Sequence, residues 1–404
     1  MLKFLRKLFS WGGGIPATSV YEKQLFDLEK FYAHYMEIKE SDEFNRYLYL
    51  KQYISSPEHR KELSNIKALS YRGSHEEAID KQYKSIKKLK EVKRYIQNGE
   101  GEDSSNVQTF IKLHNEVESP EFISRKQYLQ NKKRHKESQP YLEGLEYKKL
   151  QKSEMVKTYY KLEKEYAKQF AEQEQWVSKL YDDFSKPEID TERWLTKPYW
   201  GEVLLRGSYS QNDEMQMMSE GKNLKLAGGR LSIVTQKASA KGLAWDLTRG
   251  FIPKVFNYAS GMISTASSFR QLYGKFEAKV RVDRVPNVYH AFWMAADKKT
   301  PHLNVFKFEG NKLVFAAYSE ENGILHIKEE VSKYKLNNDF YIYTLLWDES
   351  KITWLINGKK VCECPNLIDE PMYIAFSTGV TGDIPEQRLP LEMEIDWVRC
   401  FRRN

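Results

Sequence analysis

The side chains whose types and spacing could do chemistry concentrate in one stretch, residues 301–311, PHLNVFKFEGN. It offers an imidazole at His302, an amide at Asn304, an ammonium at Lys307 and a carboxylate at Glu309, set among apolar and aromatic residues in a strand-like pattern. A lysine, with a reference pKa of about 10.4, is a weak proton donor near neutrality unless its surroundings depress it, and an amide does not titrate. Glu309 shares strand parity with Lys307, because alternate residues of a strand face one side. No second carboxylate lies at a suitable offset on this strand, and Asp297, which precedes it, reaches it only through a loop. Acid–base work by paired carboxylates is therefore not supplied by the stretch alone. The plainer expectation pairs Glu309 with Lys307 or Lys312.

Strands must position these groups. From Tyr181 onward, alternating and aromatic segments separated by Gly, Asn and Pro turns predict strands over 230–235, 274–282, 312–318, 340–347, 352–356, 372–376 and 391–401. Asn357-Gly358, between two apolar runs, predicts a tight hairpin. Many strands at short spacing with almost no helix predict a two-sheet sandwich or jelly roll.

Those strands carry a resemblance. Asp182-Asp183-Phe184 followed by Asp190 and Trp194, the run SGMISTASSFRQLYGKFEAKVRV (260–282), His290-Ala291-Phe292-Trp293, residues 340–358 and the closing MEIDWVRCF (393–401) appear in order. Residues 181–403 thus resemble the catalytic domain of glycoside hydrolase family 16, the laminarinase, lichenase and agarase group of the concanavalin A-like lectin and glucanase fold. The resemblance implies two glutamates on one strand in a pattern close to Glu-x-Asp-x-x-Glu, with a bulge returning the last glutamate to the cleft. One attacks the anomeric carbon and the other protonates the departing oxygen, with the carboxyl groups roughly 5 Å apart. Laid on that pattern, His302 stands at the nucleophile, Asn304 at the supporting aspartate and Lys307 at the acid/base. All three differ, which points away from the usual double displacement and leaves Glu309 as the candidate relocated acid.

The same resemblance implies a sugar-binding cleft. Tyr289 falls where the family often carries a tryptophan that stacks on a pyranose, and Trp293, Phe292, Tyr258, Trp200 and Trp245 are candidate wall or floor residues. Arg270, Asn257, His302 and Asn304 are candidates for binding hydroxyls. Asp396 matches a position of a structural calcium site in some members, the alternative being a turn cap or a pair with Arg399. No cofactor is otherwise implied.

Ahead of the strands, residues 21–180 have few glycines and apolar or aromatic residues at three- and four-residue intervals, which predicts helix. Serine starts at Ser41, Ser56, Ser119, Ser138 and Ser153, spaced for one short helix each, suggest a weak repeat. Ser55 with Glu58 and Ser74 with Glu77 fit capping boxes. Residues 81–96 and 146–180 are candidates for long, coiled-coil-like helices, and 98–106, NGEGEDSSN, for a loop. Tyrosine stripes at helical spacing read as interhelix packing. The expected organisation is a basic apolar segment (1–20), a helical-repeat region (21–180) and a family-16-like jelly roll (181–404).

Nearly all of the net charge of +8 sits in residues 1–180, which carry 34 Lys+Arg against 27 Asp+Glu. The cations are interleaved with acids, as on solvated helix faces, which argues against nucleic acid as partner. The first eleven residues, MLKFLRKLFSW, are a candidate for resting on a membrane surface. They lack the apolar core and cleavage site of an export signal, so a cytoplasmic location is expected, with a cell surface or virus-like particle as the alternative. Three cysteines, Cys362, Cys364 and Cys400, make neither a disulfide framework nor a zinc site. Three functions fit: a catalytically degenerate domain binding a glycan or protein with the helices as spacer or docking element, an active glycoside hydrolase or transglycosylase with unusual residues, or a self-associating scaffold with no sugar ligand.

Overall fold

The computed structural model describes residues 14–298, 300–321 and 324–404. The candidate membrane-contacting residues 1–11 lie outside the described residues. Two compact units form: one of residues 29–167, the other of the described residues up to Leu28 together with Lys168–Asn404. The chain crosses from one to the other within two helices.

The helices are α1 (Thr18–Glu40), α2 (Asp42–Ser55), α3 (Pro57–Ala68), α4 (His75–Ile86), α5 (Lys90–Asn98), α6 (Ser105–Val117), α7 (Pro120–Gln130), α8 (Gln139–Gln151) and α9 (Glu154–Glu174). Serine hydroxyls start several of them. Ser41 accepts from the amide of Phe44, Ser56 from His59, Ser74 from Glu77 and Ser119 from Phe122, at 3.1–3.2 Å, each satisfying an amide that the first turn leaves unpaired. The expected box at Ser55 does not form. Ser55 is the last residue of α2 and its hydroxyl bonds back to the carbonyl of Lys51, while Pro57 at the first helical position places the cap one residue later. Ser56→Ala should cost about 1 kcal/mol. Ser55→Ala should cost less, and urea unfolding followed by helical circular dichroism separates the two.

Residues 81–96 and 146–180 are not single long helices. The first breaks over 87–89 into α4 and α5, and the second breaks where Ser153 caps α9, then leaves helix altogether at a strand starting at Trp176. Tyrosine stripes do pack helices together: Tyr35 stacks on Tyr159 at 4.8 Å, Phe44 lies 4.1 Å from Tyr159, and Tyr47 stacks on Tyr147 at 5.7 Å. A second cluster joins Ile79, Tyr83, Val92, Val107, Phe110 and Phe122 across α4 to α7.

The other unit is a sandwich of β1 (Trp176–Asp182), a short helix α10 (Tyr199–Leu205), β2 (Ser210–Gln211), β3 (Gln216–Met218), β4 (Leu224–Leu226), β5 (Leu231–Asp246), β6 (Gly250–Ser260), β7 (Met262–Ser264), β8 (Gly274–Val282), β9 (Val288–Ala295), β10 (His302–Glu309), β11 (Lys312–Glu321), β12 (Ile324–Val331), β13 (Tyr341–Trp347), β14 (Lys351–Ile356), β15 (Lys359–Pro365), β16 (Tyr373–Val380) and β17 (Leu391–Arg403). The larger sheet runs β15-β14-β13-β8-β17-β5-β6-β3, with β1, β2 and β4 at its sides. The smaller runs β12-β11-β10-β9-β16-β7. Their facing sides bury Phe276, Val280, Leu345, Trp354 and Ile395 against Phe292, Met294, Phe306, Phe308 and Phe376. This is the expected jelly roll. Burying a large aromatic contributes roughly 2–3 kcal/mol, so this core is the dominant stabilising term of the unit.

The hairpin expected at Asn357-Gly358 joins β14 to β15, with φ of 46° and 73°. Both residues need positive φ in such a turn, and a Cβ on Gly358 would sit 2.5 Å from the ring of Tyr21. The start of α1 is held to this end of the sheet: Asn357 Nδ2 donates to the carbonyl of Pro16 at 2.8 Å and to Thr18 Oγ1 at 2.9 Å. Glu22 pairs with Lys279 at 2.7 Å. Residues 14–28 therefore belong to the sandwich rather than to the helical unit. The three cysteines are free, and burial pushes the Cys400 thiol well up.

Candidate functional site

The site is built by one irregularity in β10. Asn304 pairs with Trp293 and Phe306 with Phe292 on the next strand, so Val305 is an extra residue in the ladder. Without it, strict alternation would send residues 302, 304, 306 and 308 to one face and 303, 305, 307 and 309 to the other. With it, Leu303, Val305, Phe306 and Phe308 all enter the core. His302, Asn304, Lys307 and Glu309 share the opposite face. The carbonyl of Asn304 is not left bare by the bulge, because Trp354 Nε1 reaches it through the core at 2.8 Å.

On that face His302 Nε2 lies 2.9 Å from Asn304 Oδ1. An amide oxygen only accepts, so Nε2 carries the proton. Burial pushes the His302 pKa down and Lys307 adds to this, against the Asn304 bond, so the ring is neutral near pH 7. The ring stacks on Trp293 at 5.2 Å, with Tyr318 of β11 at 5.8 Å on its other neighbour strand. Lys307 Nζ pairs with Glu309 at 2.8 Å, and Lys312 lies 3.9 Å from Glu309. The Lys307 contact, with Lys312 beyond it, holds the Glu309 carboxyl below its ordinary value, so it is ionised and is not a proton donor at neutral pH.

Tyr289 is not an open stacking platform. Its ring lies against Gly379 of β16, where a Cβ would come within 2.2 Å of it, and Lys307 Nζ sits 5.1 Å from the ring centroid. Its hydroxyl donates to the carboxylate of Glu214, a buried residue between β2 and β3 that also accepts from the amide of Gln211 at 2.9 Å. Burial pushes Glu214 up despite those two bonds. Trp293 is half-buried, donates from Nε1 to Ser377 Oγ at 3.0 Å and packs edge-on to Tyr373 at 5.9 Å. Arg270 lies 5.2 Å from the Tyr199 ring and 5.3 Å from the Tyr373 ring, and pairs with Asp297 at 2.7 Å. Trp200 continues this group through Tyr199 at 5.4 Å and is exposed.

Three candidates lie elsewhere. Tyr258 is buried with Val285, Val380 and Ile384, and its hydroxyl accepts from the Ile384 amide at 2.9 Å, so it fastens a loop. Asn257 is exposed on β6 of the larger sheet, whereas the other groups line the smaller one. Trp245 packs on Phe251 at 4.9 Å in the β5–β6 hairpin. Asp396 does not pair with Arg399. Its oxygens take Arg230 at 3.1 Å and Lys279 at 2.9 Å, while Arg399 pairs with Glu277 at 2.8 Å. A carboxylate already held by two cations does not fit calcium, which takes six to eight oxygens, and among the described residues no cluster of three or more metal-ligating side chains occurs.

Glu214, Tyr318, Tyr373 and Ser377 were missed from sequence. Tyr318 was within reach, since it ends an expected strand at cleft-facing parity. Glu214 gave no signal, because it comes from a loop. A cavity of about 1330 Å³ lies on the larger sheet beside Trp176, Tyr273 and Trp347, away from β10.

This face, with a bulged strand at its centre, is what the sequence resemblance implied, and residues 211–399 match the family model described as Glycosyl hydrolases family 16. The C-terminal half holds a family 16 domain. Among curated relatives, the endo-1,3-1,4-beta-glycanase ExsH of Rhizobium meliloti (strain 1021) is 30% identical over 157 residues, covering 36% of this chain and 34% of that protein. The endo-1,3-1,4-beta-glycanase EglC of the same organism is 25% identical over 222 residues, covering 50% and 46%. The clotting factor G alpha subunit of Tachypleus tridentatus is 22% identical, covering 47% and 30%. The chain thus spans between about a third and a half of the length of the curated relatives it matches. Among solved structures, the laminarinase catalytic domain of Thermotoga maritima superposes with a TM-score of 0.45 at 19% identity, covering 57% of this chain and 99% of that one. For the kappa-carrageenase of Pseudoalteromonas carrageenovora the values are 0.46, 19%, 57% and 96%. The family 16 domain accounts for none of the helices in residues 29–167.

Proposed function

We propose that the family 16 domain is a catalytically degenerate module that binds a glycan through the outward face of the smaller sheet, with Trp293 and Tyr318 supplying apolar faces and His302 and Arg270 supplying polar contacts, backed by the buried Tyr373, Asn304 and Ser377. One observation carries the reading. β10 keeps the bulge that aligns four side chains on the cleft face, yet those side chains form a neutral His302–Asn304 pair and a closed Lys307–Glu309 ion pair. Double displacement needs one carboxylate to attack and a protonated carboxyl to donate. Here the acid on the strand is ionised and neutralised by its neighbours, whereas aromatic rings and hydrogen-bonding groups suited to sugar rings remain.

A second reading, an active glycoside hydrolase, is favoured by one contact: Lys312 lies 3.9 Å from both Glu309 and Glu329, bringing two carboxylates to one edge of the cleft. That cation adds to Lys307 in holding Glu309 ionised, so Glu309 is not a proton donor. Titration calorimetry with soluble glucans, galactans and carrageenans, run beside a reducing-end assay, tests the choice. Binding should be observed, weakened about tenfold by Trp293→Ala, with no new reducing ends. Cleavage that disappears in Glu309→Gln would establish the second reading. Absence of binding across the panel would favour a scaffold without a sugar ligand.

A further inference from the structure

We propose that β12 is an interface with a second copy of this chain, joining the smaller sheets of two copies edge to edge. β12 is the end strand of its sheet, and among the described residues nothing pairs with its outer side. It is unusual for an end strand in this molecule. Residues Leu325 to Val331 are exposed throughout, and the apolar members are Leu325 at 52%, Ile327 at 51% and Val331 at 48% exposure. These alternate with Glu329 on the cleft side, as shown by the pairing of Ile327 with Tyr318 and of Val331 with Val314. A long edge strand with a row of exposed apolar side chains is a template for another strand. The opposite edge of the larger sheet illustrates the contrast, since β15 carries Lys359, Lys360 and Pro365, which discourage pairing.

The sequence of β12 is complementary to itself. Set antiparallel to a second copy about a two-fold axis at Glu329, Lys328 faces Glu330 of the second copy twice, and Ile327 faces Val331 of the second copy twice. Cross-strand pairs of opposite charge and of β-branched residues are the stabilising kind. The one like-charge contact, Glu329 with its own image, is offset within each copy, where Glu329 accepts from the Tyr318 hydroxyl at 3.1 Å and lies 3.9 Å from Lys312. Shifting the axis to Lys328 would instead oppose two lysines and set Ile327 against Glu329. The charges therefore select the axis at Glu329, and a two-fold pairing of this one edge strand closes on itself as a dimer. A two-fold axis perpendicular to the sheet leaves both cleft faces on one side of a continuous surface, which would let one extended ligand engage both copies.

Analytical ultracentrifugation of the full chain from micromolar to high-micromolar concentration tests this. A concentration-dependent dimer is expected. Ile327→Lys should leave monomer only, with an unchanged circular dichroism spectrum because the residue is exposed. Lys328→Glu and Glu330→Lys should each weaken dimerisation about tenfold by opposing like charges, and the double variant, which restores opposite charges, should recover it. A chain that stays monomeric throughout, a dimer indifferent to Ile327→Lys, or a double variant no better than either single change would overturn the proposal.

Discussion

Trp354→Ala is expected to destabilise the sandwich more than any change on the cleft face, by about 3–5 kcal/mol for the lost aromatic and roughly 1–3 kcal/mol more for a carbonyl left without a partner. Trp354 is buried on β14, packs 6.2 Å from Phe315 and donates from Nε1 to the carbonyl of Asn304. That carbonyl lies at the bulge, where the ladder with the neighbouring strands shifts register. Folded domains are stable by only about 5–15 kcal/mol, so the alanine variant should lie near the edge of folding. Trp354→Phe separates the two contributions, since it keeps most of the apolar volume and removes the donor. Urea unfolding followed by tryptophan fluorescence should rank wild type above phenylalanine above alanine. A phenylalanine variant as stable as wild type would mean that the bulge carbonyl finds water instead. Glycan binding, if measured on the phenylalanine variant, should fall as well, because the bulge sets the direction of His302 and Asn304.

Arg399→Met is expected to cost about 3–5 kcal/mol at neutral pH, because it leaves a buried carboxylate without its nearest cation. Glu277 is 2% exposed, pairs with Arg399 at 2.8 Å, lies 3.6 Å from Lys275 and accepts from Thr344 at 3.1 Å. Burial by itself would raise its pKa. Lys275 and Arg399 outweigh burial and hold it below the ordinary carboxylate value. A folded pKa below the unfolded one means that wild type gains stability above the unfolded value of about 4.3 and loses it as pH falls through the depressed one. In Arg399→Met burial wins, the folded pKa rises, and the penalty shrinks as acid protonates Glu277. The stability gap between the two proteins should therefore be widest near neutrality and narrow toward pH 4. Urea midpoints at the two pH values test this, and a gap independent of pH would mean that Arg399 acts through packing on Trp397, 4.7 Å away, rather than through charge.

The fold was legible because its signals are local. Alternation over 274–282 became β8 with those bounds, Asn357-Gly358 became a hairpin turn, and serine starts became helix caps, each decided by residues within four of one another. Breaks in the helical half were less legible. Periodicity continues through residues 87–89, and nothing in the spacing of Lys, Leu and Tyr there announces the break between α4 and α5.

Partner identity was the least legible feature. From sequence, Tyr289 reads as a ring offered to a sugar and Asp396 as a calcium-site position, a turn cap or a partner of Arg399. The structure gives Tyr289 to Glu214, seventy-five residues earlier, and Asp396 to Arg230 and Lys279, while Arg399 turns to Glu277. Adjacent residues of a strand face opposite sides, but which cation stands across the ladder depends on the register of two other strands. That register is set by core packing far along the chain.

By itself the sequence determined a helical half, a jelly roll of the family 16 type, and a strand bearing His302, Asn304 and Lys307 where carboxylates are expected. Only the tertiary structure decided that the bulge at Val305 puts those three and Glu309 on one face, that Glu309 is neutralised by Lys307, and that β12 is left as an open edge. The reason is physical: residue types and short periods follow from the chain itself, whereas bulges, ion pairs and free edges are properties of strands brought together from distant parts of it.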